Sequence, residues 1–405
     1  MTNLPQGWEV KKLGEIGEIV TGSTPSKSNL DFYGKDYPFF KPSDFEQGYF
    51  LENAGDNLSK LGFDKARQLP PKTILVVCIG SLGKVALTRV IGSCNQQINA
   101  IIPHKNIIAE YIYYYCISSK FQSILFSKAP QTTLAILNKT EFSKLEIIYP
   151  KDIKEQERIV GILDESFAKI DESIKILEQN LLNLDELMQS ALQKAFNPLK
   201  DNAKENYKLP QGWEWKSLGE IGEIITGTTP SKNNPNFYGN EYPLFKPSDL
   251  NGDMIIKYAS DNLSKLGFDN ARNLPKDTIL VVCIGASIGK VGLSGVNGSC
   301  NQQINAIIPN SAFTSKYLFF VCLSNYFQTI LKKNASQTTL PIINKTEFSK
   351  LQIPLPPIKE QEQITSHLDE LSSHVKNLKQ NYQAQIKDLQ ELKKSLLDKA
   401  FKGNL

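Results

Sequence analysis

From Ile159 the apolar residues of one stretch step by four and three: Ile159, Leu163, Phe167, Ile170, Ile174, Leu177, Leu181, Leu184 and Met188. A seam of that period, held for more than four heptads between charged residues, demands a partner helix along its length. Asp152 and Glu155 stand at capping-box spacing before it, and Asn197-Pro198 ends it. At 1.5 Å rise per residue such a helix spans roughly 60 Å. The partner lies in the same chain. Ile364, Leu368, Leu371, Val375, Leu378, Tyr382, Leu389, Leu392 and Leu396 repeat the seam, with Gln385 on it and Ile386 beside it, so the register is imperfect there.

The seams recur because the whole chain is written twice. Leu4-Pro-Gln-Gly-Trp8 returns as Leu209-Pro-Gln-Gly-Trp213, and Lys41-Pro-Ser-Asp44 as Lys246-Pro-Ser-Asp249. Asp56 to Asp64 matches Asp261 to Asp269 without a change, Ser93 to Pro103 matches Ser299 to Pro309, and Ala195-Phe196 matches Ala400-Phe401. The period is too long for a solenoid, so each copy is read as a globular domain followed by one long helix. The expected boundaries are 1–151 and 209–356 for the domains, 152–196 and 357–401 for the helices, and 197–208 for a polar linker. The expected class is α+β: two repeated mixed domains separated by two antiparallel coiled-coil helices, pseudo-two-fold symmetric. Within the first domain, Trp8 to Val20 reads as a short strand or helix. Ile74 to Ile79, Gln97 to Ile102 and Glu146 to Tyr149 read as strands, and Glu110 to Lys128 as one buried helix.

A net charge of only +4 means that any nucleic-acid contact must draw on locally concentrated cations. No apolar run is long enough to cross a bilayer and no signal-peptide core is present, so a cytoplasmic protein is expected. The six cysteines form no CxxC pair and sit in or beside apolar runs, as buried thiols do. None of the three histidines, His104, His367 and His374, is placed as a general base common to both copies. No GxGxxG follows a strand. Gly80-Ser-Leu-Gly-Lys84 and Gly285-Ala-Ser-Ile-Gly-Lys290 have unequal spacing and a valine where a phosphate loop needs Ser or Thr. They are either plain turns or DNA-phosphate contacts through backbone amides and the ammoniums of Lys84 and Lys290.

What remains is a set of duplicated polar loops suited to DNA. The first carries Ser23, Thr24 and Lys27, matched by Thr228, Thr229 and Lys232. The second carries Lys41 and Ser43, matched by Lys246 and Ser248, with Asp44 read as a cap of the following turn. The third is Gln131, Thr132 and Thr133, matched by Gln337, Thr338 and Thr339, and is closed by Lys139 and Lys345. Asn95-Gln-Gln97 and its copy lead into a strand and are read as satisfied buried amides. Tyr113-Tyr-Tyr115, whose counterpart is Phe319-Phe-Val321, is read as core.

Taken together, two copies of Trp-x-x-x-x-Leu-Gly-Glu-Ile, the GxTP loop, the Asn-Gln segment, the Gln-Thr-Thr loop and Ile-Lys-Glu-Gln-Glu opening a long helix resemble the specificity subunit of Type I restriction–modification systems. The resemblance covers essentially the whole chain, in order and twice. It implies two target-recognition domains, each reading half of a bipartite DNA site. It also implies that the helices dock two methyltransferase (modification) subunits carrying S-adenosylmethionine, with restriction-translocase subunits as further partners. The chain itself would be no enzyme and would bind no cofactor. Family members often pair dissimilar domains, whereas these halves are near copies, which implies a nearly palindromic site. The alternatives are a coiled-coil interaction scaffold and a stand-alone DNA-binding protein.

Overall fold

The computed structural model describes residues 4–129, 135–196, 209–310, 313–336 and 340–405. The expected linker, 197–208, lies outside the described residues. The first repeat runs β1 (Trp8–Lys12), α1 (Leu13–Ile16), β2 (Gly17–Thr21), β3 (Tyr33–Phe40), β4 (Phe50–Leu51), β5 (Asp56–Leu58), α2 (Lys60–Lys65), β6 (Ile74–Val77), β7 (Val85–Thr88), β8 (Ser93–Cys94) and β9 (Ile98–Pro103). It continues α3 (Ala109–Ile117), α4 (Ser119–Lys128), α5 (Lys139–Ser143), β10 (Glu146–Pro150) and the long α6 (Ile153–Phe196). The second repeat has the same order: β11 (Glu214–Ser217), α7 (Leu218–Ile221), β12 (Gly222–Thr226), β13 (Tyr238–Phe245), β14 (Ile255–Ile256), β15 (Asp261–Leu263), α8 (Lys265–Asn270), β16 (Ile279–Val282), β17 (Val291–Ser294), β18 (Ser299–Cys300) and β19 (Ile304–Pro309). It closes with α9 (Ser315–Leu323), α10 (Asn325–Lys333), α11 (Lys345–Ser349), β20 (Gln352–Leu355) and α12 (Ile358–Ala400).

The chain divides into two compact units, 1–177 with 383–405, and 178–382. Each unit is thus one globular domain, the start of its own long helix and the end of the other repeat's helix. In the first unit a five-stranded sheet has the order β2-β9-β6-β7-β4, with only β4–β7 parallel. A three-stranded sheet β5-β3-β8 lies beside it, and β1 pairs with β10. Ile74 and Val76 face the core shared with α3 and α4, whereas Leu75 and Val77 face a second core with Phe40, Phe45 and Leu69. A strand buried on both faces must be apolar throughout, which is why Ile74 to Val77 reads as an unbroken run.

Several expectations are corrected. Trp8 to Val20 is a strand, one helical turn and a second strand. The expected helix over 110–128 is two helices. Ser118, buried, ends α3 and caps α4 by accepting from the Phe121 amide, so the side chain competes with helix continuation. At the head of α6, Asp152 accepts from the Lys154 amide at 3.0 Å, but Glu155 pairs with Arg158 at 2.7 Å instead of closing a capping box. On α12, Leu378 and Leu392 are 40% and 46% exposed. After Val375 the inward positions are Lys379, Tyr382, Ile386, Leu389, Lys393 and Leu396–Leu397. Ile386 takes the place that Gln385 would have wasted, and the stems of Lys379 and Lys393 pack while their ammoniums pair with Asp185 and Asp171 of α6.

Within each unit the two helix segments run antiparallel. In the first, Arg158 reaches the Leu405 carbonyl and Asp171 meets Lys393. In the second, Leu192 and Phe196 share a core with Leu368 and Ile364. The tip of α12 enters the first domain: Leu397, Ala400 and Phe401 are buried, and the Phe401 ring meets Tyr111 and Tyr115 edge-on at 5.4 and 5.1 Å. Phe196 meets Tyr317 at 5.4 Å in the second. Tyr114 and Tyr115 are buried among these residues and Tyr113 is half-buried, as the core reading requires. All six cysteines are buried free thiols.

Candidate nucleic-acid interface

Two of the predicted polar loops, those of Ser23 and Lys41 with their copies, gather in each unit around the turn that leads into β9 or β19. Asn95 and Asn301 are buried, and each holds its turn closed. The Asn95 amide donates to Gln97 Oε1 at 2.8 Å while Asn95 Oδ1 accepts from the Gln97 backbone at 3.1 Å. The copy repeats this at 3.0 and 3.1 Å. Gln97 also donates to the Ile79 carbonyl at 3.5 Å. These amides are satisfied, as expected. Gln96 and Gln302, between them, are exposed.

The loop of Ser23 and Thr24 lies directly on that turn. Gly22 donates to the Ile98 carbonyl at 3.0 Å, and Ser23 to the Cys94 carbonyl at 2.9 Å. The approach is so close that a Cβ on Gly22 would stand 2.1 Å from the Asn95 carbonyl oxygen, and one on Gly227 2.2 Å from Asn301. Only glycine fits there. The loop is held on its other sides as well. Tyr33 donates to the Pro25 carbonyl at 2.7 Å, Arg67 donates to the Thr21 carbonyl at 2.5 Å, and Ser23 Oγ accepts from the Arg67 amide at 3.2 Å. Tyr238, Arg272 and Thr228 repeat each contact. Thr24 Oγ1 donates to Gln96 Oε1 at 2.5 Å, and Thr229 to Gln302 at 2.8 Å.

The cations differ in their freedom. Lys27 is exposed and makes no ion pair among the described residues. Lys232 is exposed near Asp261, whose carboxyl is held below its usual range first by Lys246 and then by Lys232. Lys41 and Lys246 are paired with Asp56 and Asp261. Asp44 is buried and accepts from the Lys41 and Gly55 amides at 2.7 and 3.0 Å, so it acts as the cap expected of it. Ser43 and Ser248 are exposed on the same bends.

The Gly80–Lys84 segment is the turn between β6 and β7. Three of its amides are taken within the domain: Gly80 donates to Ala135, Leu82 to Gly80 and Gly83 to Val77. Lys84 points at Glu46, 3.4 Å away, and Lys290 at the Pro247 carbonyl, 3.3 Å away, which brings this turn against the Lys41 bend. Lys139 and Lys345 open α5 and α11 behind the caps Asn138 and Asn344. The far ends of those short helices lie against α1 and α7, through Ser143 on Gly14 and Ser349 on Gly219, while Leu137, two residues before Lys139, accepts at its carbonyl from the Asn99 amide, whose oxygen accepts from Thr21 at the polar-loop end of β2. Gln131, Thr132, Thr133, Gln337, Thr338 and Thr339 lie outside the described residues.

Sequence reasoning missed two residue pairs. Arg67 and Arg272 fasten the GxTP loops. Gln96 and Gln302 were passed over with their buried neighbours. Strict recurrence of Ala-Arg and Asn-Gln-Gln in both copies was the available signal for each.

Comparison with known proteins agrees with this arrangement. The family model described as "Type I restriction modification DNA specificity domain" matches twice, at residues 5–182 and 210–388. The MjaIX specificity subunit of Methanocaldococcus jannaschii is 25% identical across 99% of this chain and 94% of its own length. The HindI specificity subunit of Haemophilus influenzae is 37% identical, over 46% of this chain and 42% of its own. Among solved structures, a chain from a study of complex assembly and conformational transition of the type I R-M system superposes with a TM-score of 0.82 at 21% identity, each chain covered in full. The HsdS subunit of Thermoanaerobacter tengcongensis superposes at 0.60 and 21%, over 100% of this chain and 98% of that one, and these two likenesses establish the fold. With its two matched domains covering most of its length, the chain belongs to the Type I restriction–modification DNA specificity domain family and is a specificity subunit, a targeting chain without catalysis of its own.

Proposed function

We propose that each repeat binds one half of a bipartite DNA site and that the two half-sites are nearly identical and inverted. The observation that carries this is the duplication of the exposed cluster itself, Thr24–Gln96–Arg67 against Thr229–Gln302–Arg272, with the same hydrogen bonds in both copies. The exchange of helix ends between repeats is reciprocal, which favours inversion over a direct repeat. Recognition domains at 1–151 and 209–356, spacers at 152–196 and 357–401 and a linker at 197–208 complete this reading. Half-site centres about one helical turn apart, ~34–36 Å, follow for an inverted pair. Two modification subunits, carrying S-adenosylmethionine, dock on the helices, and restriction-translocase subunits join them. No helix among the described residues is long and apolar enough to cross a membrane, and we place the complex in the cytoplasm.

Sequencing of methylated adenines in the native host tests the reading. The expected map is an interrupted near-palindrome, and unrelated half-sites would overturn it. Because net charge is only +4, tight binding is expected to need the modification subunits. Filter binding that fails with and without them would favour a pure scaffold. Among the cations, Lys27 and Lys232 are the phosphate contacts of choice. Replacing both by Ala should weaken binding to all sequences and flatten the salt slope by roughly 0.9 for each phosphate no longer neutralised.

A further inference from the structure

The Thr24–Gln96 and Thr229–Gln302 bonds call for an explanation other than stability. Both link side chains at the solvent surface, 72 and 73 residues apart in sequence. A hydrogen bond made in water contributes little net free energy, because water replaces either partner. What the bond does is fix a direction. The glutamine oxygen is held toward the threonine hydroxyl, so the amide NH2 is turned away from the loop, and it donates to nothing among the described residues.

Everything behind that amide is hydrogen-bonded in place. The backbone of Gln96 lies between two amides locked to each other, and its turn is fastened to β3 by the Asn95 amide on the Phe40 carbonyl at 3.1 Å. Thr24 sits on a loop held by Gly22, Tyr33 and Arg67. Each glutamine is therefore carried on a hydrogen-bonded support, its oxygen already turned to the threonine before any ligand arrives. Such preorganisation favours a partner that needs a donor and an acceptor in set positions. A phosphate needs donors only. A carboxamide that offers an NH2, and an oxygen with a lone pair still open, matches the N7 acceptor and N6 donor of adenine in the major groove.

We infer that Gln96 and Gln302 each read one adenine, at equivalent positions of the two half-sites, and that Thr24 and Thr229 are positioning residues that aim them. This rests on the DNA-recognition reading above and adds the residue and the base. Both glutamines carry the same contacts, so the same base pair is read twice.

The test uses the full chain assembled with its modification subunits. The probe is the duplex mapped by methylation sequencing, together with its single base-pair substitutions. For the wild type, one A·T pair in each half-site should cost about 5- to 150-fold in affinity when replaced. Gln96→Ala should erase that preference in one half-site only, and Gln302→Ala in the other. Thr24→Val should reduce the preference without erasing it. Gln96→Glu keeps the size of the side chain and should move the preference toward cytosine, whose amino group a carboxylate accepts. A structural role would not move the preferred base. Base preferences unchanged in Gln96→Ala and Gln96→Glu, or an equal loss on all duplexes, would overturn the proposal. A wild type with no base preference in either half would instead remove the recognition reading beneath it.

Discussion

Gly22→Ala is expected to unseat the GxTP loop of the first domain and abolish specific binding at its half-site. The added methyl group would lie 2.1 Å from one carbonyl oxygen and 2.4 Å from another, and both belong to backbone that no side-chain rotation can clear. The loop must lift, and it then loses the Gly22 and Ser23 amide bonds to Ile98 and Cys94. Overpacking of this kind costs roughly 1–3 kcal/mol, and each of the two broken bonds about 1 kcal/mol more, so a destabilisation of about 3–5 kcal/mol is expected. Gly227→Ala should do the same to the second domain. Gly161→Ala, on an exposed face of α6 with no atom within 4 Å, is the control and should be neutral or stabilising by up to about 1 kcal/mol. Urea unfolding checks the order of the three. A Gly22→Ala chain as stable as the wild type would show that the loop does not depend on its seat.

The contrast between these glycines also shows what sequence reasoning reached. The duplication and the long helices were legible because period survives without knowledge of contacts: steps of three and four residues imply a helix partner, and identical segments imply identical folds. The apolar run at Ile74 to Val77 announced a doubly buried strand for the same reason. The failures fall where two local interactions compete. Ser118 splits an apolar helix because its hydroxyl caps the next one, and hydrophobicity alone does not record that. Leu378 and Leu392 continue the heptad on paper, but the seam moves by one residue so that Ile386 is inside, and lysines then line positions where leucines were expected.

The candidate interface was legible as loops and opaque as side chains. A polar loop with hydroxyls and a lysine is recognisable from composition. Which hydroxyls are spent is not, since Ser23 is taken by an amide 44 residues on and Thr24 by a glutamine 72 residues on. Gln96 was hidden by its neighbours. Three amides in a row look alike, and only the fold turns Asn95 and Gln97 inward and the middle one out.

A chain cut to residues 1–196 is expected to form a homodimer. In the first unit the core around Tyr111 and Tyr115 is completed by Leu397, Ala400 and Phe401, which the fragment lacks. The fragment's own Leu192, Ala195 and Phe196 belong to the second unit's core and would be left in water. These residues repeat Leu397, Ala400 and Phe401 at the same spacing. Two fragments can therefore seat each other's helix tips, just as the two repeats do in the intact chain. What the dimer forgoes is small. Lys379 and Lys393, which pair with Asp185 and Asp171, are replaced at the equivalent positions by Ile174 and Met188. Ion pairs this exposed contribute about 0–1 kcal/mol each. What is kept is large, since removing a buried phenylalanine ring costs roughly 3–5 kcal/mol and the dimer buries two. Phe196→Ala in the fragment should accordingly return it to a monomer, or to an unfolded chain, at concentrations where the parent fragment is dimeric. Sedimentation equilibrium reads the mass directly. A parent fragment that stays monomeric, folded and stable would mean that the Tyr111–Tyr115 slot does not need a helix tip from a second repeat.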